Sequence, residues 1–87
     1  MTPSARDIED WLVARVSAAT GLAPAAVGVD EPVVRFGLDS VAVVTLAADL
    51  ENWLGYRFRA NPLDDHPTIA ALARFLAGEL GTGDRPA

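Results

Sequence analysis

Residues 36–41 read Phe36-Gly37-Leu38-Asp39-Ser40-Val41, and they mark the point where a long loop ends and the most hydrophobic helix pattern of the chain begins. Asp39 is a good N-cap, because its carboxylate can accept hydrogen bonds from the unpaired backbone N–H groups of the first helical turn. Ser40 then takes the first helical position, with its hydroxyl pointing outward in a field that favours negative charge. A phosphate esterified to that oxygen would be stabilised there, so Ser40 is the candidate functional residue.

Three segments show the apolar spacing of amphipathic helices, and together they predict an all-α fold. They cover about residues 4–20, 40–54 and 67–80. The buried positions that this spacing predicts are Ile8, Leu12, Val16 and Ala19 in the first segment, Val43, Leu46, Ala47, Leu50 and Leu54 in the second, and Ile69, Leu72, Ala73, Leu76 and Leu80 in the third.

The segments between these helices carry their own local signals. Ser4 and Asp7 are predicted to form an imperfect capping box at the start of the first helix. In the long connection 22–38, residues 24–27 are predicted to form one helical turn that begins with proline. Residues 61–65, between the second and third helices, are predicted to form another such turn that begins with a cap and a proline. The residues expected to pin the long connection against the core are Leu22, Val27, Val33 and Phe36.

The architecture that follows is a four-helix bundle with three long helices, one short helix and a long loop between the first two helices. A chain of 87 residues makes one domain, which is expected to span residues 1–80. Gly81 and Gly83 are expected to end the last helix, and residues 81–87 to form a disordered tail.

The middle helix carries a second apolar stripe, made of Val41, Val44 and Ala48, beside its core stripe. A helix in so small a protein needs only one apolar stripe to pack against the core. The second stripe is either left exposed for partner proteins or covered by neighbouring helices, and the sequence leaves both interpretations open. Trp53 is expected to be half-buried against the loop that follows the helix.

Composition excludes several classes of partner. The chain has 7 arginines and no lysine against 12 acidic residues, which gives a net charge of −5 and a pI near 4.5. Such a surface repels phosphate backbones and anionic lipids, so nucleic acid and membranes are poor partners and basic patches on other proteins are better ones. The alternation Tyr56-Arg57-Phe58-Arg59 is too short to reverse this. With no leader-like or membrane-spanning segment, a cytoplasmic location is expected.

The sequence offers no arrangement typical of an enzyme or a metal site. A nucleophilic Ser40 would need a base and an orienting group, but the single histidine, His66, precedes a proline in another segment. Asp64 and Asp65 are adjacent and point apart, and one histidine in a chain without cysteine cannot build a zinc site. We therefore expect a non-catalytic protein without a bound metal.

Two motifs about 25 residues apart, Gly37-Leu38-Asp39-Ser40 and Asp65-His66-Pro67-Thr68-Ile69, resemble those of acyl carrier proteins, most closely the carriers of modular polyketide synthases. The order of helices and loops matches as well. The resemblance implies that Ser40 carries a 4′-phosphopantetheine arm from coenzyme A, which holds acyl or polyketide intermediates as thioesters. It implies as partners a phosphopantetheinyl transferase, an acyltransferase or acyl-activating ligase, and a ketosynthase with other synthase domains, all meeting a monomeric carrier.

The sequence departs from the family in two ways that bear on partner recognition. Val41 stands where Leu or Ile is usual, and the middle helix lacks the acidic exposed face of free-standing fatty-acid carriers. Partner contact is therefore expected to depend on Asp39 and on the apolar Val41, Val44 and Ala48 more than on charge. The second departure also argues against bulk fatty-acid synthesis.

Two other functions remain open. A peptidyl or aryl carrier of a nonribosomal peptide system usually has Gly-Gly-x-Ser around the serine, a pattern that residues 37–40 fit less well than the acyl pattern. An unmodified helical interaction domain would instead use Val41, Val44 and Ala48 as a dimer seam.

Overall fold

The computed structural model describes residues 3–84, with side chains described as far as residue 80. Three α-helices form the framework: α1 (Ala5–Thr20), α2 (Ser40–Leu54) and α3 (Ile69–Asp84). The connections contain three single 3₁₀ turns, at Pro24–Ala26, Val33–Phe36 and Pro62–Asp64. Residues 3–84 contain no strand, so the all-α prediction is confirmed, and the predicted short third helix is the 3₁₀ turn Pro62–Asp64.

The start of α1 has the capping bonds that its sequence predicts, and α3, which begins at Ile69, has a cap that was not predicted. Ser4 and Asp7 form a reciprocal capping box, in which the Asp7 N–H donates to Ser4 Oγ at 3.1 Å and the Ser4 N–H donates to Asp7 Oδ2 at 3.0 Å. Asp serves here in the position that Glu or Gln usually fills. At the start of α3, Thr68 caps the helix, since its Oγ1 accepts from the Ala71 N–H at 3.1 Å.

The core lies mainly between α1 and α3, the two helices whose backbones approach most closely. Its fully buried side chains are Ile8, Leu12, Val16, Val33, Leu50, Ile69, Leu72 and Leu76. Among the residues of α2, only Leu46 and Leu50 are buried. The prediction for Ala19 is wrong: Ala19 is exposed, because the last turn of α1 faces a groove toward α2 and not the core.

The long connection between α1 and α2 is bonded to the start of α3. The Val33 N–H donates to the carbonyl of Pro67 and the Ala70 N–H donates to the carbonyl of Val29, both at 2.9 Å. Val27 and Val33 are buried as predicted and Phe36 is half-buried, whereas Leu22 is 37% exposed and does not pin the connection.

Two further predictions are corrected by the structure. The backbone of α3 continues to Asp84, so the prediction that Gly81 or Gly83 ends the helix is wrong; residues 85–87 of the predicted tail lie outside the described residues. Trp53 is 42% exposed, not half-buried, and it stacks on Trp11 of α1, a contact that the sequence did not predict. None of the helices between residues 3 and 84 combines the length and hydropathy that a bilayer crossing requires.

Candidate functional site at the start of α2

The first turn of α2 is capped as the sequence predicts. Asp39 has an extended backbone, and its Oδ1 accepts a hydrogen bond of 2.8 Å from the Ala42 N–H. The Asp39 carbonyl accepts from the Val43 N–H at 3.0 Å. These two bonds fix Ser40 as the first residue of α2.

The loop that leads to Ser40 packs against the core through the residues on either side of Gly37. Phe36 and Leu38 are half-buried and pack against the core cluster, while Gly37 between them reverses the chain with a φ of +86°. Only glycine adopts this backbone region without strain. Since Val33, at the start of the same 3₁₀ turn, is bonded to Pro67 just before α3, the turn that leads to Ser40 is anchored.

The three serines of the chain have different roles. The Ser4 hydroxyl caps α1, and the Ser17 hydroxyl donates to the Leu22 carbonyl at 2.6 Å. Ser40 is exposed, and its hydroxyl takes part in none of the hydrogen bonds found among residues 3–80. Of the three serines, Ser40 alone therefore presents an alcohol that is exposed and not already used in capping.

The electrostatics at this alcohol favour an attached phosphate. The N–H groups of Ser40 and Val41 have no acceptor among the described residues, and they lie at the positive end of the helix dipole. A phosphodiester on Ser40 Oγ would add negative charge next to these donors. The residues present therefore fit a 4′-phosphopantetheine arm, with Ser40 as the point of attachment.

The structure decides between the two interpretations of the second apolar stripe. Val41 is 71% exposed, Val44 is 61% exposed, and Ala48 is exposed as well, so no neighbouring helix covers them. At 3.6 residues per turn, Val44 lies one turn from Ser40 on the same flank of α2. Beyond Val44 this flank borders a groove of about 220 Å³, across which Glu51 Oε2 accepts a 2.6 Å hydrogen bond from the Phe58 N–H.

One exposed apolar side chain near the site was missed by sequence reasoning. Val34 is 64% exposed on the 3₁₀ turn that leads to Ser40, next to the buried Val33. The sequence does contain a signal for it, because two consecutive side chains of a tight turn cannot both face the core. Val34 lies on the turn that leads to Ser40, so it is a further candidate for the apolar docking surface.

Three other titratable residues, His66, Asp64 and Asp65, do not lie together in a catalytic or metal-binding arrangement. The His66 ring stacks on Phe75 with centroids 4.2 Å apart, so its contacts are with α3. Asp64 and Asp65 are exposed, and the side chains of residues 3–80 contain no cluster of three potential metal ligands.

Comparison with known proteins gives a consistent set of similarities. Residues 10–76 match the family described as "Phosphopantetheine attachment site". The chain is 35% identical over 78 residues to the acyl carrier protein TtuC of Teredinibacter turnerae, covering 90% of each protein. It is 38% identical over 76 residues to polyketide synthase GfsA of Streptomyces halstedii, covering 86% of this chain but 1% of that synthase.

The fold is also shared with a solved structure. The solution structure of acyl carrier protein LipD from Actinoplanes friuliensis superposes with a TM-score of 0.76 at 38% sequence identity, covering 92% of this chain and 89% of LipD.

Proposed function

The chain belongs to the phosphopantetheine attachment-site family, and from that membership we propose that Ser40 is the residue to which the 4′-phosphopantetheine arm is esterified. The protein is a non-catalytic carrier of the type found in polyketide and nonribosomal peptide synthases. The bound arm supplies a terminal thiol for thioester formation, which this chain without cysteine lacks.

One observation supports the assignment above all others. Ser40 is the serine whose exposed hydroxyl is free of capping bonds within residues 3–80, whereas the hydroxyls of Ser4 and Ser17 are engaged. In this role the chain binds no substrate itself. It presents the Ser40 hydroxyl to solvent at the start of a helix that the fold holds in place. Tethering a substrate there raises its effective concentration at each enzyme that docks.

The docking surface in this proposal consists of Asp39, Val41, Val44 and Ala48. The exposed valines offer apolar area without a partner in the fold, and Asp39 adds the nearest carboxylate to Ser40. The enzymes expected to dock are a phosphopantetheinyl transferase, an acyltransferase or acyl-activating ligase, and a ketosynthase, each meeting a monomeric carrier. A cytoplasmic location stays a prediction from the sequence.

The proposed cargo is an acyl or polyketide group. Gly37-Leu38-Asp39-Ser40 fits the acyl pattern better than the Gly-Gly-x-Ser of peptidyl carriers, and the names of the similar proteins TtuC, GfsA and LipD point the same way. Loading assays with acyl and aminoacyl donors would separate the two kinds of carrier.

The test of the attachment site is incubation with coenzyme A and a broad-specificity phosphopantetheinyl transferase, followed by mass spectrometry of the intact protein. We expect one added arm on the wild type and on Ser17→Ala, and none on Ser40→Ala. Ser17→Ala is the matched control, because it removes the same atom from a serine that is engaged in a hydrogen bond. An arm on Ser40→Ala would overturn the assignment.

A further inference from the structure

A pair of side-chain contacts joins α1 to α2 far from Ser40. The Trp11 and Trp53 rings stack with centroids 5.1 Å apart and planes 11° from parallel. One turn along, Arg15 Nη2 lies 2.6 Å from Asp49 Oδ2, and the Arg15 guanidinium also lies 5.0 Å from the centroid of Trp11. We call these four residues the α1–α2 clasp.

The clasp is built from matched helical spacing. Trp11 and Arg15 are four residues apart on α1, and Asp49 and Trp53 are four residues apart on α2. Residues with this spacing lie on one helix face, so the two contacts lie one helical turn apart between antiparallel helices. We call each of these contacts a rung. The repeat predicts a third rung one turn nearer to Ser40.

At the position of that third rung, the described residues form no ion pair or aromatic stack between the two helices. A groove of about 340 Å³ separates them there, lined by Ala18 and Ala19 of α1 and by Ala42, Thr45 and Leu46 of α2, and it reaches Arg15 and Asp49 of the second rung. These side chains, mostly alanine, are too short to bridge the gap. Toward Ser40, α2 is held only by core contacts such as those of Val43 and Leu46, whereas its other half carries the aromatic and charged contacts of the clasp.

A docking surface that includes Val34 as well as Ser40 spans two separately anchored elements. Val34 lies on the turn whose Val33 N–H is bonded to Pro67 at the start of α3, whereas Val41 and Val44 lie on α2, which the clasp joins to α1. A partner enzyme that contacts both elements fits them only if α2 keeps its angle relative to the turn that carries Val34. Asp49 is nine residues from Ser40, or roughly 13 Å at 1.5 Å per residue, so a tilt of about 10° at the clasp moves Ser40 by roughly 2 Å.

We propose that Trp11, Trp53, Arg15 and Asp49 are positioning residues, which set the tilt of α2 and thereby align Ser40 and the valines of α2 with Val34 for the docking of a partner enzyme. This inference rests on the proposed function of Ser40. Misplacement by an ångström or more at a docking surface costs affinity for the partner without altering the chemistry of the alcohol.

The test measures loading kinetics of the full chain with coenzyme A and a broad-specificity phosphopantetheinyl transferase. For Trp53→Ala we expect loss of the near-ultraviolet circular dichroism of the stacked indoles and a KM for the carrier about tenfold higher, equivalent to about 1.4 kcal/mol, with kcat within about twofold. Trp53→Phe keeps an aromatic ring in the stack and should restore the KM. Asn52→Ala, at a neighbouring exposed position outside the clasp, is the matched control and should behave as wild type.

Each outcome bears on one proposal. If Trp53→Ala loses the indole signal but keeps the wild-type KM, the clasp does not position Ser40, and this inference is overturned while the assignment of Ser40 stands. If Trp53→Ala fails to fold, Arg15→Met supplies the same test, since it removes the guanidinium that bonds Asp49 and lies over Trp11 while keeping an unbranched side chain, and an unchanged KM again overturns the inference. Failure of the wild type to be loaded at Ser40 overturns the proposed function itself.

Discussion

The Asp39 carboxylate accepts a 2.8 Å hydrogen bond from the Ala42 N–H, which ties the residue before the candidate attachment site to the helix that carries it. One side chain thus both terminates the loop and fixes the first turn around Ser40. Loss of this bond affects the stability of the fold and the presentation of Ser40 together, and the two effects can be measured apart.

We predict that Asp39→Ala lowers the free energy of unfolding by about 1 kcal/mol, the usual cost of removing an N-cap acceptor. Asp39→Asn keeps an acceptor oxygen and should retain most of the stability, although it removes the negative charge. Urea denaturation followed by circular dichroism checks both. Equal destabilisation by the two variants would mean that charge, not capping, is what Asp39 contributes to stability.

The same pair of variants separates capping from partner contact. If the Asp39 carboxylate contacts the transferase, Asp39→Asn is loaded more slowly than the wild type despite its near-normal stability. Loading at the wild-type rate would remove Asp39 from the proposed docking surface and leave it as a cap.

Replacing Gly37 or Gly78 by alanine is expected to change the free energy of unfolding in opposite directions. A Cβ on either glycine meets no atom within 4 Å, so neither change creates a clash. Gly37 has a φ of +86°, a strained region for alanine, so Gly37→Ala should destabilise the protein by about 1 kcal/mol. Gly78 lies in the regular part of α3, so Gly78→Ala should stabilise it by up to about 1 kcal/mol. Stabilisation by both, or no effect of Gly37→Ala, would show that Gly37 is not held in the left-handed conformation.

Local chemistry accounts for the features that the sequence predicted correctly. The Ser4–Asp7 capping box, the Asp39 cap and the proline-led turns at residues 24–26 and 62–64 each involve residues at most four positions apart. The composition of these short segments is enough to specify their backbone. The position of Ser40 at the start of a helix follows from the same local rules.

The features that the sequence did not reveal depend on residues distant in the chain. Trp53 stacks on Trp11, 42 positions away, and the turn at Val33 is bonded to Pro67. The exposure of Ala19 depends on where α2 lies, which the spacing of apolar residues in α1 does not contain. Helical periodicity marks the faces of each helix, but it does not say which neighbour covers them.

The anchoring of the long connection can be tested at two adjacent valines. Val33 is 2% exposed and Val34 is 64% exposed. Val33→Ala removes two buried methyl groups and leaves a small cavity, so we expect a loss of about 2 kcal/mol in the free energy of unfolding. Val34→Ala should change it by less than about 0.5 kcal/mol. Similar losses for both variants would mean that the turn does not hold Val33 inward.

The exposed valines of α2 give the most direct test of the docking surface. Val44→Asp places a carboxylate on the apolar flank of α2 one turn from Ser40, at a side chain that is 61% exposed. We expect the free energy of unfolding to change by less than about 1 kcal/mol, since little apolar area leaves the core and only helix propensity is lost. The kcat/KM for transferase loading should fall roughly tenfold, because the charge must be desolvated where an apolar contact is expected.

Thr45→Asp is the matched control for this change. It adds the same charge and removes the same kind of β-branched side chain at the next residue, which is exposed but borders the groove toward α1. Its loading should stay within about twofold of wild type, because Thr45 lies about 100° around the helix from Val44 and outside the proposed contact. Equal losses at the two positions would indicate a general charge effect on α2, and the valine flank would then not be the docking surface.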